Sequence, residues 1–569
     1  ELVVLAVGSD AEKIRALQAR FHQAGLLGAR VQLFAADPWQ FQFPQYLASL
    51  IVAERPWSAA QIGGADLRRL FEILRPYGGT LCLRLAEPEH AAFESAVRSA
   101  QLANAVVKRV GDLSLLVREG PLPGAAPWSH MGGDAQNTFC SRDDLVRAPL
   151  GILWYGDVPT GRPGEWHSII NMAVNGGRVF QTHGRTILAY DAYTGRFLWN
   201  KSLPGRHGFS AAAAERDGLY FVVSDQCVVL DPDSGEPLQT FKLAIGETQM
   251  AVDLRVQGDH ILVVCRDQKD PSRGPYYRTM SEIGGVLICL DRRSGEELWR
   301  REAKERFHGH ALALAGNRVF CVDSQPIALA EKARTGPEPL RELASTVLAL
   351  DAHTGKLLWS ETVRYDATRT FTPEELAAGV EDRHVPRLEA DDWLAYSPET
   401  GLVVAGRFLL GWAWEAESGK KLWGPQDIRG SAPLMIRGQT LVTSGGDVHD
   451  LLTGRRIGNY RAIRKRSCNY AIASKHLVLI RGAGDPPVTA SAAYYDVAQD
   501  RAYRLLNIRS SCRNNQIPAD GLLNSPCYTP GDCICNYPLQ TSFAMVTMPE
   551  VEAWSRPLPV AEGGAQAVP

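Results

Sequence analysis

Over residues 1–118 the apolar positions change period repeatedly, from short continuous runs suited to strands to the three-and-four spacing suited to helices. Leu2–Val7 predicts a strand and Asp10–Ala24 a helix. Val31–Phe34 predicts a strand ending at Ala36-Asp37-Pro38, and Leu50–Ala53 another. Leu67–Leu74 predicts a helix, Gly79–Leu85 a strand and His90–Leu102 a helix. Such alternation predicts an α/β domain built on an open parallel sheet covered by helices, a scaffold that binds ligands beyond the carboxyl ends of its strands. The chain opens directly on an apolar strand, without a signal peptide. That opening reads as the middle of a domain, and sequence missing upstream is expected.

The pattern changes after residue 118. Residues 119–127, Glu-Gly-Pro-Leu-Pro-Gly-Ala-Ala-Pro, carry too much proline and glycine for a regular element and are expected to be a linker. Beyond them a unit recurs: a short apolar strand, an acidic residue, a turn, Gly, and often Leu-Trp. It reads Leu188-Ala-Tyr-Asp191-Ala-Tyr-Thr-Gly195-Arg-Phe-Leu-Trp199, then Val229-Leu-Asp231-Pro-Asp-Ser-Gly235, then Cys289-Leu-Asp291-Arg-Arg-Ser-Gly295-Glu-Glu-Leu-Trp299. It returns at Leu350-Asp351-Ala-His-Thr-Gly355-Lys-Leu-Leu-Trp359, at Trp414-Glu-Ala-Glu-Ser-Gly419-Lys-Lys-Leu-Trp423 and at Asp450-Leu-Leu-Thr-Gly454, and fades at Tyr495-Asp496. The acid caps the turn, Gly takes a positive φ, and the returning strand carries a ring to pack between neighbouring sheets. One such hairpin cannot bury its own face, so copies must stack, which predicts an all-β propeller over residues 128–556 and a flexible tail over 557–569. Seven copies are countable. An eighth blade is expected from the strands around Phe543–Met548 joined to Gly151–Tyr155, which closes the ring; a seven-bladed ring is the alternative.

Two resemblances attach to these residues. Phe71-Glu-Ile-Leu-Arg-Pro-Tyr-Gly-Gly79 resembles the turn before a late sheet strand of class I S-adenosylmethionine-dependent methyltransferases, and Ala36-Asp37 falls where such enzymes often carry an acid beside the adenine. Their glycine-rich first loop is absent and Leu5-Ala-Val-Gly8 stands where a further acid is expected, so the resemblance implies a partial or degenerate Rossmann-like domain: either its first strand lies upstream of residue 1 or it is a degenerate scaffold. The repeats resemble the pyrroloquinoline-quinone-like propellers, which include quinoprotein dehydrogenases and non-catalytic outer-membrane assembly lipoproteins. The combination is similar to a bacterial group in which a methyltransferase-like segment precedes such a propeller. Trp128-Ser-His130, Asp144-Leu-Val146, Pro149-Leu150 and Trp154 resemble its inter-domain signature, and Cys533-Ile-Cys-Asn-Tyr-Pro-Leu-Gln-Thr-Ser542 its C-terminal one. The likeness is to the repeat, not to a cofactor site. The adjacent cysteine pair on which quinoprotein alcohol dehydrogenases stack the quinone is absent, and so is a Cys-x-x-Cys-His haem motif. Neither the quinone nor a metal ion is supported by a cofactor-specific motif.

Composition narrows the picture. At 569 residues the chain is too long for a single core. A net charge of −2 with 45% apolar residues favours neither nucleic acid nor a membrane surface as partner. No apolar run approaches the roughly 18 residues that cross a bilayer. Of the 11 cysteines, Cys82, Cys227, Cys265, Cys289 and Cys321 lie in strand-like runs and are expected to be buried thiols. Cys512, Cys527, Cys533 and Cys535 crowd a segment rich in Pro, Gly and Asn, which suggests disulfides in an oxidising compartment, hence a periplasmic or secreted protein. Cys468 and Cys512 each follow a basic residue and a serine and are expected to meet across adjacent blades. Cys527 would pair with Cys533 or Cys535. A metal held by Cys512, Cys527, Cys533 and Cys535 is the competing reading, opposed by the single-residue gap in Cys533-Ile-Cys535.

Basic residues recur where each outer strand should lead into the next inner one. Arg206-His207 follows Trp199, Arg306-Phe-His308-Gly-His310 follows Trp299, and Arg429 follows Trp423. Arg466 and the pair Arg509 and Arg513 follow the later turns. Equivalent positions should face the central channel, where converging guanidinium groups favour carboxylate, sulfate or phosphate. His308 and His310, two apart on a strand, are candidates for an acid–base pair or metal ligands, with His207 a further catalytic candidate. His130, His167 and His183 are ambiguous. The expected function is a module binding an anionic ligand, such as an acidic saccharide, in the channel. The alternatives are a uronate lyase, a quinone-dependent oxidoreductase and a structural protein-interaction scaffold.

Overall fold

A computed structural model of the chain describes residues 2–53, 64–156, 171–183, 186–205, 212–269, 283–325, 342–366, 392–407, 410–428, 434–443, 445–460, 470–481, 491–509, 516–526 and 542–554. The chain divides into two compact units, Glu1–Leu122 and Pro123–Pro569.

The first unit runs β1 (Val4–Gly8), α1 (Ala11–Gln23), β2 (Val31–Ala35), β3 (Leu50–Val52), α2 (Gly64–Ile73), β4 (Gly79–Arg84), α3 (Glu87–Ser99), β5 (Ala105–Val110) and β6 (Leu113–Arg118). Asp10 starts α1 by accepting from the backbone N–H groups of Glu12 and Lys13. Leu67, Leu70, Phe71 and Leu74 form one apolar stripe of helix spacing on and just beyond α2, packed with Leu81 and Leu83 of β4, Phe93 and Val97 of α3, and Leu116 of β6. Strict alternation along β4 turns Leu81 and Leu83 into that core and leaves Cys82 only half-buried on the other face, a correction to its expected burial.

The expected single parallel sheet is not what forms. Strands β1 and β2 make a parallel pair, and a separate sheet has the order β3-β4-β6-β5, in which only β3 and β4 are parallel. The cause is local. Only Gly111 and Asp112 separate β5 from β6, and Gly111 takes a φ of 59°. A two-residue turn returns the chain antiparallel, whereas a parallel neighbour needs a crossover of a dozen or more residues.

The second unit is all β and propeller-like. Successive four-stranded meanders cover 171–202, 212–242, 393–427 and 435–459. Between them lies a seven-stranded sheet, 249–366, whose 19-residue strand Glu297–Ala315 is the last strand of one meander and the first of the next. Sheet 472–509 gains a fifth strand from Cys140–Ser141. In the last sheet Ser542–Thr547 pairs antiparallel with Leu150–Gly156, so the end of the unit is joined to its beginning.

The repeated turn explains how the sheets stack. Asp191, Asp231, Asp291 and Asp351 each accept from the N–H groups two and three residues on, as Asp351 Oδ1 does from His353 and Thr354; Asp450 accepts from the Thr453 N–H and Glu415 from the Ser418 hydroxyl, and in all six copies the acid's carbonyl receives the glycine N–H. The glycines sit at φ values of 68–72° with an aromatic ring from the preceding sheet lying over them. The indole N–H of that ring then donates to the turn: Trp154 to Ala192, Trp199 to Pro232, Trp299 to Ala352, Trp359 to Ala416 and Trp423 to Leu451, at 2.7–3.0 Å. Phe241 takes the tryptophan's place over Gly295 and keeps the packing without the hydrogen bond. Because Trp154 belongs to the strand that completes the last sheet, its bond to Ala192 docks the last sheet on the first and makes the order cyclic.

Two glycines separate backbone strain from close packing. Gly401 (φ 69°) has no atom within 4 Å of a built Cβ, whereas a Cβ on Gly419 (φ 71°) would stand 2.6 Å from the Trp359 ring. Gly401→Ala is expected to cost about 1 kcal/mol, the strain of a left-handed alanine. Gly419→Ala is expected to cost about 2–4 kcal/mol, because the ring must also move. Denaturant unfolding followed by tryptophan fluorescence measures the difference, and equal costs would show that the ring yields freely.

Candidate functional site

The first strand of each meander has a row of backbone donors on its free edge, which must find partners if buried. One segment, residues 126–143, supplies them. Val174 and Ala214 donate to the carbonyls of Trp128 and Ser129, and Val256 donates to Nε2 of His130 at 3.0 Å. Leu314, Tyr396, Ile436 and Ala473 donate to the carbonyls of Ala135, Gln136, Thr138 and Phe139. All seven donors are the penultimate residue of their strand. In the last sheet that position is Pro518, which has no N–H, and Asp520 donates to Ala126 instead. Asp143 locks the end of the strap: its carboxylate accepts from Ala126, Leu145, Val146 and Gly521. The residues read as an inter-domain signature, Trp128 to His130, are therefore part of the core.

His130 fills its place as a neutral ring. Nε2 accepts from Val256 and Nδ1 lies 2.8 Å from Ser129 Oγ, so Nδ1 carries the proton. Burial, with Arg255 and Arg292 adding repulsion, lowers its pKa from 6.5 to about 3.

The opposite ends of two adjacent inner strands carry a buried polar cluster. Asp392 immediately precedes strand Trp393–Ser397 and is buried. It accepts from Ser324 at 2.5 Å and from Ser345 at 2.7 Å, and Arg407 Nη1 lies 3.6 Å from it. Arg407 also donates to the carbonyl of Gln325 at 2.6 Å. His308 Nε2 is 3.1 Å from Ser324 Oγ and 3.7 Å from Asp392. The single hydroxyl proton of Ser324 goes to Asp392, so His308 must donate to Ser324 from Nε2, and its Nδ1 holds a lone pair. That nitrogen is buried and has no hydrogen-bond partner among the described residues. Burial holds the His308 pKa below its ordinary value, opposed by Asp392 and reinforced by Arg407.

Asp392 and Tyr396, the residue that donates to the strap, are four positions apart, about 13 Å of extended chain. The strap and the cluster thus occupy opposite ends of the inner strands.

His308 and His310 do not share a face. The register of their strand shifts between Phe307 and Leu312, which breaks the alternation; His308 meets Ser324, while the His310 ring stands edge-on to Phe139 at 5.8 Å. Arg306 precedes them on the same strand, half-buried, and donates to the carbonyl of Glu305. Arg509 ends strand Arg501–Arg509, its backbone paired with Ser491. Arg206, His207, Arg429, Arg466 and Arg513 lie outside the described residues, as do Cys468, Cys512, Cys527, Cys533 and Cys535. Cys140, Cys227, Cys265, Cys289 and Cys321 are buried free thiols whose pKa burial pushes up to about 12. Among the described residues no group of three or more His, Cys, Asp or Glu side chains is placed to hold a metal ion, and no helix is long and apolar enough to cross a membrane.

Sequence reasoning missed Asp392, Ser324, Ser345, Arg407 and Asn137. It also missed a buried ion pair for which a signal was available: Asp253 and Arg255 interrupt the apolar run Met250–Val256 at alternate positions, meet at 2.8 Å, and the arginine donates to the carbonyl of Gly309.

A family model described as outer membrane protein assembly factor BamB matches residues 151–269 and 229–409. No curated protein matches the chain. The chain is related at low identity to several propeller and quinoprotein structures. BamB from Moraxella catarrhalis is 12% identical, with 70% of this chain and 98% of that one covered and a TM-score of 0.40. A quinohemoprotein alcohol dehydrogenase from Pseudomonas putida HK5 is 13% identical over 65% of this chain and 75% of that one, with a TM-score of 0.32. Hsv2 from Kluyveromyces lactis is 12% identical over 59% and 96%, with a TM-score of 0.33. At these identities and TM-scores the likenesses carry no argument about chemistry.

The neutral state of His130 predicts a pH dependence. Its folded pKa lies below the unfolded value, so the unfolded chain binds the extra proton between the two. The stability it contributes is full above about pH 6.5 and falls as the pH drops toward 3. Unfolding midpoints taken between pH 7.5 and 4.5 should decline, and His130→Gln should flatten that decline by up to about 1.4 kcal/mol per pH unit. An unchanged slope in the variant would place the proton elsewhere.

Proposed function

We propose that the second unit is an eight-bladed, quinoprotein-like propeller that acts as a periplasmic or secreted binding module, taking an anionic ligand at one end of its axis. An acidic saccharide is the expected class. The observation that carries the reading is the strap: it occupies the inner-strand donors at one end of every sheet, which leaves the other end for a ligand. At that end stand the buried His308–Asp392–Arg407 cluster and Arg306, and the sequence spacing that brings Arg306 after Trp299 is the ground for proposing that Arg206, Arg429, Arg466, Arg509 and Arg513 join it. Guanidinium groups converging on a channel mouth suit a carboxylate, and the hydroxyls of a sugar suit a wall supplied with acceptors.

The first unit is read as a degenerate methyltransferase-like scaffold. Supporting this, Arg75-Pro-Tyr-Gly-Gly79 forms a tight turn in which a Cβ on Gly79 would stand 2.3 Å from the Arg75 carbonyl. Strands β1 and β3 each pair on one side only among the described residues, as expected if one sheet strand is lacking. Calorimetry with S-adenosylmethionine is expected to give no binding heat.

Calorimetry of the full chain with an oligogalacturonate and with a neutral oligosaccharide of equal length tests the main reading. Binding of the acidic oligomer alone is expected, weakened about tenfold by the double variant Arg306→Ala/Arg429→Ala, with the larger effect at low salt. Equal affinity for both sugars, or no effect of the variant, would sink it. Ultraviolet absorbance growing during the titration would instead favour the lyase alternative.

A further inference from the structure

The strap and the polar cluster hold the same two strands. Asn137 Nδ2 donates to the carbonyl of His310 at 2.8 Å and to that of Leu394 at 2.7 Å. His308 stands two residues before His310, and Asp392 two before Leu394. One buried carboxamide therefore ties strand Glu297–Ala315 to strand Trp393–Ser397 about 7 Å along the chain from where His308, Ser324 and Asp392 meet.

The tie is closely determined. Asn137 holds a φ of 63° and Phe139 one of 50°, two left-handed non-glycine residues within a span of three. Such conformations are strained and persist where the surroundings over-determine them. Gly132 makes room for the carboxamide, since a Cβ there would lie 2.2 Å from Asn137 Oδ1. Phe139 then sets its ring against His310. The left-handed φ favours an asparagine by itself, but it does not call for the two hydrogen bonds that the carboxamide donates to His310 and Leu394.

We propose that Asn137 is a positioning residue for the His308–Ser324–Asp392 cluster. By fixing the separation of the two strands, it keeps His308 Nε2 within reach of Ser324 and so keeps Nδ1 as the proton-accepting nitrogen. The role would be to hold one tautomer of His308 ready at the binding end, which rests on the functional reading above. The charged groups facing His308 are Asp323 and Asp392, which favour its protonation, and Arg407, which opposes it.

The test needs no ligand. Full-length protein labelled with ¹⁵N-histidine gives the tautomer of each ring from its long-range ¹H–¹⁵N pattern, the His308 signal being identified by its loss in His308→Gln. The wild type is expected to show His308 as the Nε2–H form. In Asn137→Ala the His308 nitrogens should move toward averaged positions while His90, in the first unit, stays unchanged. If Asn137→Ala does not fold, Gly132→Ala, which presses on the carboxamide, must produce the same shift. An unchanged His308 pattern in the variant that folds, even with a lowered Tm, would reduce Asn137 to a structural residue and overturn the proposal. Failure of saccharide binding alone would count against the functional reading and leave this one standing.

Discussion

An inner strand with an unpaired edge is the constraint on which the second unit depends. Each meander can satisfy its own strands except the first, whose free N–H groups face the interior. Leaving a buried donor unpaired costs about 1–3 kcal/mol, and here the demand recurs at the same register in sheet after sheet. Water can meet it only where there is room. The strap meets it with a main chain that supplies one acceptor per strand in sequence order, from Trp128 against Val174 to Phe139 against Ala473. A single extended chain with eight successive clients cannot be regular, which accounts for its left-handed residues Asn137 and Phe139 and for the histidine that replaces a carbonyl at Val256.

The strap works because the ring around it is rigid. Each indole donates to the next turn and covers the next glycine, so the angle between sheets is fixed by a direct hydrogen bond together with a contact that no Cβ could share. The same device joins Trp154 to Ala192, which means that residues 150–156 act twice: as the outer strand of the last sheet and as the clamp on the first. Ring closure and strap therefore come from one continuous stretch, 126–156, that precedes every strand it organises save Cys140–Ser141 and Leu150–Gly156, which lie within it.

These two devices differ in how legible they are. The clamp is local and needs particular side chains, so the Asp, Gly and Trp of each copy stand out at fixed spacing, and the closing pair Phe543–Met548 with Gly151–Tyr155 follows from stacking logic. The strap is made mostly by backbone groups, which any sequence provides, joined across long separations such as that between Gln136 and Tyr396. Its residues look like a linker's continuation for that reason. In the first unit the helices and strands are plain from their periodicity, but the antiparallel hairpin Ala105–Arg118 turns on Gly111, a single residue that pattern reading passes over. The His308–Asp392 cluster was half visible: His308 is conspicuous, whereas Asp392 and Arg407 sit at strand ends, where charged residues ordinarily meet solvent.

That placement bears on what the cluster is for. Burying a carboxylate and a guanidinium together seldom stabilises a fold relative to apolar residues of the same size, because the desolvation cost offsets the attraction. The cluster gives Asp392 hydrogen bonds from Ser324 and Ser345 and sets Arg407 3.6 Å from it, while His308 Nδ1 keeps a lone pair and no hydrogen-bond partner among the described residues. A histidine nitrogen with a free lone pair beside a matched carboxylate is the feature on which the proposed reading rests, and the strands that carry it are held together by the Asn137 carboxamide, which donates to the carbonyls of both His310 and Leu394.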